Sequence, residues 1–197
     1  MYYFIGCILI LRLYYILCPV NILLKYWFIN IIHSLIISVY TYPVILEILN
    51  NPFQKNMYQN IQYMPNDLFA FLTALHIYHI IYHNIDYNEI EYYILSIYFN
   101  FFPLNNFLVA SSFFMLGIPD GIYYIMLILI NLGYIRQYNL NIILWCKLNG
   151  ILFFALLLFV NIYINNKNNK FILVHNLLIL TFMLWKSVKI IKSLFIS

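Results

Sequence analysis

His76, His79 and His83 follow one another at intervals of three and four residues. On a helix that spacing puts three imidazoles on one face. Three imidazoles could hold a metal ion. The chain has only five histidines, and no cysteine or carboxylate stands near these three at a diagnostic ligand spacing. We therefore expect a polar helix end at an interface, with no metal and no cofactor. His33 lies inside an apolar run, in Asn30–Ile37. A neutral histidine bonded to a neighbouring helix accounts for it, and so does a residue lining a cavity. Asp67 opens another apolar run after Pro65, where its carboxylate can cap a helix start. Asp120 stands between Pro119 and Gly121. A broken helix lining a cavity and a simple Pro-Asp-Gly turn both explain it. There is no glycine-rich phosphate loop, no Gly-x-Ser-x-Gly elbow and no His-Glu-x-x-His.

The elements that must position these residues are apolar almost throughout. The chain is 65% hydrophobic and 8% charged over 197 residues, against roughly 25% charged in soluble domains. No soluble core of this length could hide so much apolar surface. Lipid leaves only helices or a closed barrel, because every backbone polar group must be satisfied within the protein. The apolar runs are continuous rather than alternating, so we read helices. At about 20 residues per span, about seven fit. The expectation is an all-α, polytopic integral membrane helical bundle around a central cavity. Residues 1–25 form an N-terminal transmembrane helix and 26–197 the membrane domain.

The first ten residues carry no basic stretch, so the N-terminal run is expected to be a retained span and not a cleaved signal. Cys7, Cys18 and Cys146 sit in apolar runs and read as small buried hydrophobes. The net charge of +4 is spread along loops and forms no stripe for nucleic acid. Lysine outnumbers arginine by eight to two, and Ile, Asn, Tyr and Phe are abundant. That bias fits an AT-rich or organelle genome and inflates Asn and Tyr everywhere, so neither residue type signals function by itself.

Spans are expected at Tyr2–Leu24, Tyr26–Leu49, from Asp67 onward, Ile142–Ile164 and Phe171–Ile191, with the apolar runs Tyr92–Phe102, Leu104–Leu116 and Ile122–Ile135 making up the middle. Pro103 and Pro119 either end helices or kink them. Gly117, Pro119 and Gly121 interrupt the chain between two of these runs. Lys186, Lys189 and Lys192 make the last span's end basic and favour a cytosolic C-terminus.

Read in order, several of these residues resemble the TLC-domain family, the multipass proteins that include ceramide synthases. The resemblance rests on Trp27, Asn30 and His33–Ile36, on Tyr63 to Leu68, on Asn149 to Leu152, and on Trp185, Lys186 and Lys189. The pieces occur in the family's order over about Trp27–Lys192. The family's adjacent histidine pair would fall on Tyr92 and Tyr93, its His-Asp step on Pro119-Asp120, and a late arginine on Asn161. Tyrosine ordinarily titrates near pH ~10 and is a poor general base.

The resemblance implies membrane lipid handling, meaning binding, sensing or composition control, without the family's histidine-pair catalysis. If the chain does catalyse, the implied reaction is acyl transfer from acyl-CoA to an amine-bearing lipid. Its candidates would be His33, Asp67, Asp120 and one of His76, His79 or His83. Membrane lipids are the expected partners, with a second copy or another membrane protein also fitting. The resemblance places the chain in the endoplasmic reticulum or another endomembrane and not in the mitochondrial inner membrane. The rival reading is a structural accessory subunit of an organellar respiratory complex.

Overall fold

The computed structural model describes residues 2–17, 21–53, 74, 105–136, 140–165 and 170–196. Every regular element among them is an α-helix. They are α1 (Tyr2–Leu17), α2 (Ile22–Asn50), α3 (Asn106–Leu116), α4 (Ile118–Asn131), α5 (Leu140–Asn165) and α6 (Lys170–Ile196). The chain divides into two compact units. One comprises residues 1–25 and 60–104, the other 26–59 and 105–197. In the first unit the described elements are α1 and the opening turn of α2, together with the buried Ala74. The second unit holds the rest of α2 and α3 to α6.

The long helices form where long apolar runs meet polar stops. Phe28–Leu46, Leu148–Ile164 and Phe171–Val188 are helical throughout, within α2, α5 and α6. Pro43 sits inside α2 without ending it. The expected first span, Tyr2–Leu24, does not run as one helix: α1 ends at Leu17, and Leu24 belongs to α2. The interruption around residues 117–121 is also shorter than expected. Only Gly117 breaks the helix. Pro119 occupies the first turn of α4, where its missing N–H would lack a helical partner anyway. Asp120 therefore lies in the first turn of a helix and not in a loop. At the other end of α4 the chain turns at Gly133, whose φ of +80° is costly for any residue with a Cβ.

Among the described residues, three segments are long and apolar enough to cross a membrane: Leu24–Asn50, Asn106–Asn131 and Leu140–Ile164. The second is α3 and α4 taken together. α6 is not among them; it is less apolar, burying His175 and Asn176 and carrying Lys186, Lys189 and Lys192.

The faces of these helices are turned the way lipid requires. On α2 the buried side includes Asn30, His33, Ser34, Ser38 and Thr41, while Leu35, Val39, Leu46 and Leu49 are exposed. On α6 His175, Asn176 and Ser187 are buried and Val174, Leu177, Leu178 and Val188 are exposed. Polar groups inside and aliphatic groups outside are the reverse of a soluble protein. This arrangement and the three apolar segments fit an integral membrane protein.

Between such helices burial from water supplies no driving force, so close packing must hold them. α5 packs along α6 and α3, and the fully buried Phe107, Phe154, Leu158, Ile179 and Met183 fill the space. Gly150 of α5 receives the Phe114 ring of α3; a Cβ there would stand inside the ring. A Cβ on Gly117 would come 2.8 Å from Ser38 Oγ, which brings α2 onto the break between α3 and α4. Cys146, expected to be buried, is exposed. An apolar run does not say which of its residues face lipid, and Cys146 lies beside the exposed Trp145 on the outer face of α5.

Candidate functional site

The second unit concentrates its polar groups in two places. The first is the break at Gly117. Asp120 sits near the middle of the Asn106–Asn131 segment and is 7% exposed. It is bonded by its carboxylate to the ammonium of Lys147 on α5. Both side chains are largely shielded, at 10% and 12% exposure. The Lys147 ammonium also lies 5.6 Å from the Tyr123 ring. The first turn of α4 favours a negative charge at Asp120, because the N-terminal end of a helix is the positive end of its dipole. Two full charges this far from water cost several kcal/mol each to desolvate, so each requires the other.

α2 meets the break and the first turn of α4 with a stripe of small polar residues. Ser34 Oγ donates to Asn30 O at 2.7 Å, Ser38 Oγ to Ser34 O at 2.7 Å, and Thr41 Oγ1 to Ile37 O at 2.8 Å. Asn30 Nδ2 donates to Tyr26 O at 2.9 Å. Each of these groups is satisfied within its own helix, so the stripe can meet a neighbour closely without demanding partners from it. A Cβ on Gly121 would come 3.1 Å from Ser34 Cβ. Ser34 follows His33 and Gly121 follows Asp120, so two of the residues singled out by sequence each lie one position from a contact between α2 and α4. The His33 ring is 4% exposed.

The second place is a layer of neutral amides at the far end of α3. Asn105 Nδ2 donates to Asn176 Oδ1 of α6 at 2.7 Å. Asn105 Oδ1 accepts from Phe107 N at 2.8 Å and so caps α3. Phe114 of α3 meets Gly150 and Phe154 of α5. Eight residues back along α3 is Asn106, and about as far forward along α5 is Asn161, so the two lie at one level. Asn105, Asn106, Asn161, His175 and Asn176 are all buried, none above 7% exposure. Asn161 Nδ2 has no hydrogen-bond partner.

Among the described residues, no three His, Cys, Asp or Glu side chains gather into a group able to hold a metal. Of the sequence candidates, His33 and Asp120 are placed as above. Asp67, His76, His79, His83, Tyr92 and Tyr93 lie outside the described residues. Lys147, the partner, stands near the start of the Ile142–Ile164 apolar run. Intramembrane charges pair with one another, and that rule could have matched it to Asp120. The amide layer had no usable signal, because asparagine is common everywhere in this chain. The chain matches no family model, no curated protein and no solved structure.

Proposed function

We propose that this protein is a multipass, TLC-like membrane protein that handles membrane lipids without histidine-pair catalysis. In this reading residues 26–197 form a TLC-like domain, and about seven spans surround a central cavity in an endomembrane. The observation that carries it is the buried Asp120–Lys147 pair at the helix break, where the polar stripe of α2 packs against Gly117 and Gly121. A charge pair inside a lipid-facing bundle is expensive and marks a functional interior. Its chemistry suits recognition better than proton transfer. Each charged group is already engaged with the other, so neither is positioned to exchange a proton with a substrate. The phenols of Tyr92 and Tyr93 would not replace an imidazole pair.

The test is to purify the full chain in mild detergent and identify the lipids that remain bound by mass spectrometry. Wild type should retain a defined lipid class at near-stoichiometric amounts, and the D120L/K147M double variant should lose it. Given acyl-CoA and a sphingoid base, the protein should form no N-acylated product above an empty-membrane control. Retention of bulk lipid in bulk proportions, with partner chains co-purifying instead, would replace this reading by that of an accessory subunit.

A further inference from the structure

α5 has two faces. One, including Leu148, Ile151, Phe154 and Leu158, is buried. The other is exposed at Ile142, Trp145, Asn149, Leu152, Leu156 and Phe159. These exposed positions follow intervals of three and four, the spacing at which two helices meet along a seam. Any lipid-facing stripe has that spacing, and apolar side chains on it need no partner. Asn149 does. Among the described residues it is the one asparagine exposed away from a helix end.

Its depth does not depend on where the membrane is placed. The segment Leu140–Ile164 is 25 residues long, about 37 Å of helix against a hydrocarbon layer of about 30 Å. Asn149 is nine residues past the start of that segment, about 13 Å along it. Wherever the layer is set within the segment, Asn149 lies at least about 6 Å inside it. Lipid chains offer no hydrogen-bonding group there, and an amide left in hydrocarbon is costly. Thr181, also exposed, gives its hydroxyl to Leu177 O at 2.8 Å. A bond of that kind would satisfy one N–H of Asn149 and leave the second N–H and Oδ1 facing lipid.

We propose that this face of α5 is the contact surface of a homodimer, in which Asn149 of each copy bonds Asn149 of the other. Copies inserted in one membrane in the same sense are related by a two-fold axis along its normal, so their α5 helices run parallel. Each residue on the seam then meets its own counterpart. The amide is its own complement in charge: the positive end of its N–H faces the negative carbonyl oxygen on both sides of the axis. A second copy is also the partner certain to bring an amide to the same depth. Trp145, Leu152 and Leu156 supply the close apolar packing that holds helices together in lipid. One asparagine in an apolar seam fixes register as well as partner. The inference is independent of lipid handling.

The test places donor- and acceptor-labelled full chains in phosphatidylcholine vesicles and follows energy transfer as the lipid-to-protein ratio rises. Wild type should form dimers that dissociate on dilution. N149L should keep the helical content and raise the dissociation constant roughly 3–30-fold. N149Q, which keeps the amide, should retain most of the affinity. The face is checked in a chain whose three cysteines are replaced by alanine. There L152C should give a disulfide-linked dimer on mild oxidation, and V39C, on the exposed side of α2, should not. Wild type that stays monomeric at every ratio, a dimer unchanged by N149L, or a failure of L152C to cross-link would overturn the proposal. Cross-linking at V39C in its place would put the contact on another helix.

Discussion

The helix break and the amide layer are two answers to one constraint, the cost of polar groups away from water. At the break, two opposite charges neutralise each other, and the surrounding hydroxyls are satisfied within α2. At the layer the buried polar groups are amides and a histidine with no ion pair shown, one amide bond joins α3 to α6, and one donor, Asn161 Nδ2, has no partner. The centre is closed electrostatically and the end is open by one hydrogen bond. A charge pair tolerates no missing partner, whereas a neutral layer can wait for one. That difference separates the region that holds the helices together from the region with capacity for something else.

The sharpest way to break the comparison is to remove half of the pair. K147M leaves a carboxylate buried alone, and we expect a loss of about 3–5 kcal/mol in denaturation from mixed micelles. D120L/K147M removes both charges and should recover most of that loss. If K147M alone were neutral, the pair would not be closing the centre. Next in size, N105A breaks the bond to Asn176 and uncaps α3. Two contacts of about 1 kcal/mol each are involved, so the loss should be roughly half that of K147M. A loss as large as that of K147M would mean that the neutral layer binds the helices as strongly as the charges do. The smallest effect belongs to N161L, which should leave lipid-free stability within about 0.5 kcal/mol of wild type or slightly above it. A clear loss would show that Asn161 Nδ2 is satisfied from within the protein.

Much of the helical framework was legible because its signal is one-dimensional. α2, α5 and α6 lie where continuous apolar runs meet Asn, Lys and Pro stops. What escaped was whatever depends on two segments at once. Lys147 and Asp120 stand 27 residues apart, and only the antiparallel return of α5 along α4 makes them partners. The break between α3 and α4 was seen, but its extent was overdrawn, since proline reads as an interruption when it can equally open a helix. The outward position of Cys146 could not be read, because in lipid both faces of a helix look apolar in sequence. The buried amides were hidden by abundance: Asn161 differs from the chain's other asparagines only in its surroundings.

The joint at Gly117 also has a mechanical meaning. A single unbroken rod from Asn106 to Asn131 would transmit any tilt at one end to the other. Two shorter rods meeting at a residue without a side chain do not. α4 is tied to α5 by the Lys147 ion pair, and α3 is tied to it by the Phe114 ring in the Gly150 notch. The far end of α3 is fastened to α6 through Asn105. Each rod thus has its own tether, one charged and one apolar, on either side of a single joint.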